Sequence, residues 1–466
     1  MSGTISLSFV ANSDDVFMYW KVGGDGAIAA CLGFAIRRNL KREADVTTEW
    51  LKNRVGFADQ PAEPGETRPS TDWPFQRYSW TDHDVGAGDR VKYRVYPVIK
   101  DAQGHLIADE AQASDWTPEI PIKSTVTGKI ACYFNRGVSA SQFVARYLNS
   151  HKISKSKLVE SIGDHASSLR SFMGGQLLEK LLALLDEAIA APNFKPVHVH
   201  ASLFELRDED LVSRLEKLGS RLHIVLADGS PKADDPDPNL GARKRLRESG
   251  AELIDRKVAW DTAKKRKTGA LSHNKFVVFV DSNVAARVWT GSTNWTPSSL
   301  CTQVNNAVLI DDRKVAAAYL SQWQRLAKAK SSPPSELSGT NPGPVRVGTA
   351  ILQPEIWFTP AKKGADIAAL QSVCGAAQQG ILFLMFMPGE EPLGTIVQKQ
   401  QAGLYVRGVT NQYVSSAQAA ISLYSKKGAP STFKDLAPNP AGIKTEFAYW
   451  LDEVQLNTLG VLIHSK

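Results

Sequence analysis

Three short stretches of the chain carry side chains that can make and break bonds to phosphorus. SHNKFVVFVD supplies His273, Lys275 and Asp281, and TGSTNW supplies Gly291, Ser292 and Asn294. LIHSK supplies His464 and Lys466 after the apolar run GVLI. Residues two apart on a strand face the same way, so each H-x-K presents an imidazole and an ammonium together. The imidazole can attack phosphorus while the ammonium neutralises the non-bridging oxygens. Ser292 and Asn294, on a nearby turn, can donate neutral hydrogen bonds to the same oxygens. A second H-x-K facing the first brings another imidazole to protonate the leaving oxygen. This is nucleophilic catalysis joined to general acid catalysis, with electrostatic stabilisation from two lysines. It calls for no metal and no cofactor.

The pattern H-x-K followed by Asp and then GSTN, inside a chain that repeats itself, resembles the phospholipase D superfamily over roughly residues 128–466. The resemblance implies one active site built from two such motifs. It also implies His273 as the nucleophile that forms a phosphohistidine, although spacing alone treats His273 and His464 alike. His464 then protonates the leaving group and later activates water. Lys275, Lys466 and Asn294 bind phosphoryl oxygens, and Ser292 assists. Two departures stand out. FVVFV puts five residues between Lys275 and Asp281 where the family pattern has four, which puts the role of Asp281 in doubt. The second motif is followed by neither Asp nor GSxN, so the sequence reads as a fragment lacking the rest of its second half-site.

Elements that would position these residues can be read from periodicity. Residues 1–124 are β-rich: GFAIRR and VKYRVYPV alternate, and VGAGD and DAQG are turn signals between short strands. This predicts an all-β sandwich, and the stretch from Trp80 through Tyr93 to DWTPEI resembles a fibronectin type III module. From Gly128 strands and helices alternate. KIACYF, VHVHASLF, RLHIVLAD, AELIDR and KFVVFVD read as strands, and LLEKLLALLDEAIA, DEDLVSRLEKLGS and GARKRLRESG read as helices. KFVVFVD, almost wholly apolar, reads as a strand buried on both faces. The expected organisation is multidomain: a sandwich over 1–124, a first α/β lobe over 128–330, a connection rich in Pro, Gly and Ser over 331–346, and a second α/β lobe over 347–466 related to the first by duplication. In that second lobe, IAALQSVCGAAQQG, ILFLMFM and LYVRGVT repeat the earlier order, with ILFLMFM as a buried strand.

Composition narrows the class. The chain has 466 residues, 43% hydrophobic and 22% charged, which suits soluble globular domains. A net charge of +7 favours an anionic partner. Four cysteines, Cys31, Cys132, Cys301 and Cys374, lie far apart, which argues against a disulfide framework and points to a reducing, cytoplasmic setting. No apolar run is long enough to span a bilayer, so contact with a membrane would be peripheral. The expectation is a monomeric phosphodiesterase acting on a phospholipid or a nucleic acid. The two-lobed single chain leans to a phospholipid headgroup bond, and the basic balance leans to a nuclease. The unfinished second motif keeps open a binding or scaffold protein with an impaired site.

Other conspicuous residues have plainer readings. His198 and His200 in HVH, and His223, read as core or edge histidines rather than metal ligands, and His151 and His165 as solvent-facing. Glu205, at the end of its strand, reads either as a surface carboxylate or as a neighbour of the site. KKRK over 264–267 reads equally as a solvated loop or as an attractor of phosphate.

Overall fold

The structure, a computed structural model, describes residues 5–24, 26–60, 66–123, 129–137, 147–148, 151–154, 157–228, 237–261, 266–269, 272–331, 337–341, 343–347, 354–386, 390–410 and 423–425. Contacts divide the chain into two compact units, with a break between Thr127 and Gly128.

The first unit is all-β. Strands β1 (Ile5–Ala11), β2 (Val16–Val22) and β5 (Ser79–Asp82) form one antiparallel sheet in that order. The second sheet runs β8 (Ile120–Pro121), β6 (Arg90–Lys100), β3 (Phe34–Arg42), β4 (Asp45–Trp50), with β7 (Leu106–Ala108) beside β6. Alternation makes the sandwich. Val16, Met18 and Trp20 of β2 are buried, while Phe17 and Tyr19 face outward. They pack against Ile36, Val91, Tyr93 and Val95 of the other sheet. Arg38 of β3 bonds Asp82 of β5, which also accepts from Tyr93 Oη at 2.8 Å, so one buried polar cluster ties the two sheets.

The second unit is built on an eight-stranded mixed sheet. In spatial order it runs β9 (Ile130–Phe134), β16 (Asn306–Ile310), β15 (Val284–Gly291), β14 (Lys275–Asp281), β10 (Val197–Leu203), β11 (Leu222–Asp228), β12 (Glu252–Asp261), β13 (Arg266–Gly269). Strands β10, β11 and β12 are parallel and are linked through α3 (Glu209–Leu218) and α4 (Leu240–Glu248). Strand β14 is antiparallel to both of its neighbours. Its apolar run is buried on both faces. Val277 and Phe279 join a core with Leu177, Leu181 and Leu184 of α2 (Ser168–Ala190). Phe276, Val278 and Val280 join a second core with Tyr319, Trp323 and Leu326 of α6 (Arg313–Ala329). The hairpin from β14 to β15 turns through Ser282 and Asn283, both at positive φ (49° and 68°), the backbone of a type I′ turn.

Within and just beyond the connection expected over 331–346, some described residues join the core beneath α6. Leu337, Val347 and Phe358 are buried in the core of α6, and the Phe358 ring meets Tyr319 edge to face at 4.9 Å. Beyond it come α7 (Ala365–Gly375), β17 (Gly380–Met385), α8 (Glu390–Gln401), β18 (Tyr405–Thr410) and β19 (Leu423–Ser425), with the three strands parallel. Helix, strand, helix and strand follow here in the order seen from α2 to β11. The duplicated two-lobe arrangement stays a proposal. One expectation is corrected. ILFLMFM is buried on one face only: Ile381, Phe383 and Met385 pack with Leu393 and Ile396 of α8, whereas Leu382 is 75% exposed and Leu384 is exposed too. Period-two alternation sends every second side chain to the opposite face, and among the described residues that face is not covered.

Candidate active site

Strand polarity gathers the candidate residues. Because β14 runs antiparallel to β10, its first residue, Lys275, lies opposite Leu203, the last residue of β10. Gly291 closes β15 and Asn306 opens β16, so both strands bring their ends to the same edge of the sheet. His273 lies two residues before β14, not on it. It is exposed, while Lys275 is 7% exposed. Phe204, directly after β10, joins the two. Its ring meets the His273 ring edge to face at 4.7 Å, and the Lys275 Nζ stands 5.3 Å from its centre. The Lys275 ammonium also donates to the His273 carbonyl at 3.3 Å.

The turn after β15 is locked by its own side chains. At Gly291 the backbone passes so close to β16 that a Cβ would lie 2.3 Å from the Asn306 carbonyl oxygen, which excludes a larger residue. Ser292 Oγ donates to Asn305 Oδ1 at 2.8 Å and accepts from the Asn306 N–H at 3.0 Å. Asn305 Nδ2 donates to the Ser299 carbonyl at 2.8 Å, and the Asn305 N–H donates to Asn135 Oδ1 at 2.9 Å. The Asn135 amide in turn spans the carbonyls of Leu300 and Gln303. Ser292, read from the sequence as a phosphate ligand, has its hydroxyl committed to holding the turn.

Asn294 is aimed at the edge that holds Lys275. The Trp295 N–H donates to the Glu205 carbonyl at 3.0 Å, and the N–H groups of Arg207 and Asp208 donate to the Trp295 carbonyl, so the turn is zipped to the loop after β10. Asn294 Nδ2 donates to Glu205 Oε2 at 2.8 Å. Its Oδ1 is buried without a donor among the described residues. A buried acceptor is costly unless a water or another group pairs it. Asn239 holds the same loop, accepting from the Leu206 N–H at 2.8 Å and donating to the carbonyls of Phe204 and Ala227. Cys301, also close to this framework, is no nucleophile: burial pushes its thiol up to about 12.

One expected residue falls elsewhere. Asp281 ends β14, six residues beyond Lys275 and so about 20 Å away at ~3.3 Å per residue. It is half-buried at the hairpin, where Ser282 Oγ and the Lys195 ammonium (3.3 Å) hold its carboxylate below the usual range. His464 and Lys466, with the second motif, lie outside the described residues. Phe204, Asn239, Asn305 and Asn135 were not singled out from the sequence. Phe204 follows the strand VHVHASL directly, and its place at a strand's carboxyl end was the available signal.

Three other histidines, His198, His200 and His223, cluster at the opposite end of the same strands. His200 of β10, His223 of β11 and Glu252 of β12 share one cross-strand row. The rings of His200 and His223 stack at 4.3 Å, His198 Nδ1 lies 3.0 Å from His223 Nε2, and Glu252 takes the other nitrogen of His223. Trp323 covers His200 edge to face at 4.7 Å. Among the described residues there is no group of three or more His, Cys, Asp or Glu side chains arranged to hold a metal. Burial, helped by its two histidine neighbours, lowers His200 to about 3.

Comparison with known proteins adds a family. The family model for the cardiolipin synthase, PLD-like domain matches residues 189–327. No curated protein matches the chain. Similar solved structures include Nuc from Salmonella typhimurium, a phospholipase D family member, at 20% identity over 32% of this chain and 86% of that one (TM-score 0.24). Polyphosphate kinase from Porphyromonas gingivalis is similar at 9% identity over 90% of this chain and 67% of that one (TM-score 0.37). Phosphatidylserine synthase from Haemophilus influenzae is similar at 9% identity over 51% of this chain and 60% of that one (TM-score 0.34). The family match spans the strand of Lys275 and the Gly291–Asn294 turn, and residues 189–327 are a phospholipase D-like domain.

Proposed function

We propose that this chain breaks phosphodiester bonds by hydrolysis or transfer through a phosphohistidine on His273. The observation that carries the reading is the meeting of a buried ammonium, Lys275, an exposed imidazole, His273, and a buried amide, Asn294, at one edge of a rigid sheet. A His273 nitrogen attacks phosphorus and the N–P bond forms as the bond to the leaving oxygen breaks. Lys275 neutralises charge on the non-bridging oxygens, where a low-dielectric wall makes its field strong. Glu205 fixes one N–H of Asn294, which turns the rest of the amide toward the reacting group. The unpaired Oδ1 can accept from a hydroxyl of the substrate or the incoming water. Ser292 positions the turn. His464 is assigned the proton for the leaving oxygen and the later activation of water, with Lys466 beside it. That part rests on the sequence motif and its family resemblance. Asp281 is left out of the chemistry.

The test is turnover of bis(4-nitrophenyl) phosphate in EDTA, with enzyme quenched in alkaline denaturant examined for a phosphoramidate-linked phosphoryl group. Wild type is expected to turn over and to trap label on His273. A His273→Asn chain that still traps phosphate on protein would overturn the assignment.

A further inference from the structure

One aromatic ring, Phe204, touches both the imidazole and the ammonium of the candidate site. The ring meets His273 edge to face at 4.7 Å, and Lys275 Nζ stands 5.3 Å from its centre. Those two groups are held to different degrees. Lys275 is 7% exposed and opens the ladder between β14 and β10, opposite Leu203. His273 lies two residues before that ladder and is exposed, so strand pairing does not fix its side chain. Phe204 itself has a rigid mount. Its carbonyl accepts from Asn239 Nδ2 at 2.8 Å, and the carbonyl of the next residue, Glu205, accepts from the Trp295 N–H at 3.0 Å. The Leu206 N–H then donates to Asn239 Oδ1 at 2.8 Å. Asn239 is 1% exposed, and its Nδ2 also donates to the Ala227 carbonyl at 2.9 Å. This buried amide spends its oxygen and its nitrogen on backbone, so the segment that carries Phe204 is braced to β11.

We infer that Phe204 is the positioning residue for the nucleophile: its ring sets the orientation of the His273 imidazole relative to Lys275. The inference rests on the phosphodiesterase reading for what that orientation serves. Attack needs the imidazole lone pair aligned on phosphorus as the N–P bond forms and the bond to the leaving oxygen breaks. That oxygen leaves with the electron pair and then takes a proton. An imidazole on an unpaired segment samples several rotamers, most of them off this line. A flat ring with only two χ angles, on a braced backbone, removes that freedom before substrate arrives. Displacing a reacting group by about 1 Å costs on the order of 10²-fold in rate. Phe204 reaches Lys275 as well, but the ammonium has its strand and its bond to the His273 carbonyl (3.3 Å) to hold it. Removing the ring therefore loosens the imidazole first, and the effect falls on kcat.

The test compares the full chain with Phe204→Leu, which keeps apolar bulk and loses the flat ring, and with Phe204→Tyr, which keeps both. Turnover of bis(4-nitrophenyl) phosphate in EDTA gives kcat and KM, and thermal midpoints report the fold. Histidine labelled with carbon-13 at Cε1 gives the imidazole resonances, with that of His273 assigned by its absence from His273→Asn. Phe204→Leu is expected to lose about 10²-fold in kcat with KM changed by no more than about threefold, and its His273 resonance is expected to move. Phe204→Tyr is expected to stay within about threefold of wild type in both constants. If the leucine chain fails to fold, Phe204→Met takes its place with the same expected losses. A leucine variant with wild-type kcat overturns the inference. So does a loss confined to KM, which would make the ring a support for Lys275 alone, and so does an equal loss in the tyrosine and leucine variants. An unmoved His273 resonance overturns it whether or not the chain turns over. A wild type inert on the diester, whose His273 resonance still moves when the ring is lost, would sink the enzymatic reading and leave the positioning of the imidazole in place.

Discussion

The two ends of the eight-stranded sheet each gather histidine, and they do so with opposite results. At the amino ends of β10 and β11, His198, His200 and His223 stack on one another, with Glu252 and Trp323 completing the group. The two nitrogens of His223 face His198 Nδ1 and Glu252, and His200 is held neutral by burial. At the other end a single imidazole, His273, stands exposed, sharing the ring of Phe204 with a buried ammonium and lying at the same edge as an amide turn. The stacked imidazoles pack on one another and on Trp323. The exposed imidazole beside a cation is the one to which the proposal gives the attack on phosphorus.

The sharpest way to break this contrast is to remove one histidine from each end. His273→Ala is expected to lower turnover of bis(4-nitrophenyl) phosphate by about 10³-fold or more, the scale on which a lost nucleophile acts. His200→Phe is expected to change it by no more than about twofold. Equal losses would show that the two ends do not differ in the way described. Next in size is Asn294→Ala, which removes a preorganised amide and should cost about 10²-fold in kcat, with KM changed less. A pure KM effect would move Asn294 from the reacting group to a general binding role.

The structural end is tested by acid. The folded pKa of His200 is lowered to about 3, against an unfolded value near 6.5. Between these values the unfolded chain holds the extra proton, so stability rises with pH across this window and is lost as pH falls through it. The slope from this one group is at most about 1.4 kcal/mol per pH unit. Thermal midpoints of wild type between pH 3.5 and 7 should therefore fall with acid more steeply than those of His200→Phe, and parallel curves would count against a buried neutral His200. The smallest expected effect comes from the sandwich. Deleting residues 1–124 should leave turnover of the small diester within about twofold, because none of the proposed site residues lies there. A large loss in a well-folded deletion would move part of the site into the N-terminal unit.

How far the sequence carried can be judged from particular residues. The H-x-K and GSTN motifs located Lys275 and Asn294, because strand and turn chemistry is local. The sandwich and the alternating lobe were legible for the same reason: the alternation in GFAIRR and VKYRVYPV and the unbroken apolar run of Lys275–Asp281 are patterns in short windows. Contacts that depend on which loops meet were not legible. Phe204 touches His273 across 69 positions of sequence, and Asn135 holds Asn305 across 170, with nothing in either neighbourhood to announce it. The histidine stack needed the parallel register of β10, β11 and β12, which spacing does not supply. Asp281 shows the limit of motif reading in the other direction. It sits near Lys275 in sequence, yet an extended strand carries it to the far side of the sheet.

The central position of β14 also has a consequence in time. A strand paired on both sides, with six of its seven residues buried, exchanges its amide hydrogens only when the surrounding structure opens as a whole. Lys275 begins that strand, so its ammonium is carried by one of the slowest-opening parts of the unit. Strand β13 belongs to the opposite regime, since it stands at the edge of the sheet and pairs with β12 alone. Native-state exchange should therefore be slow at β14 and faster at β13.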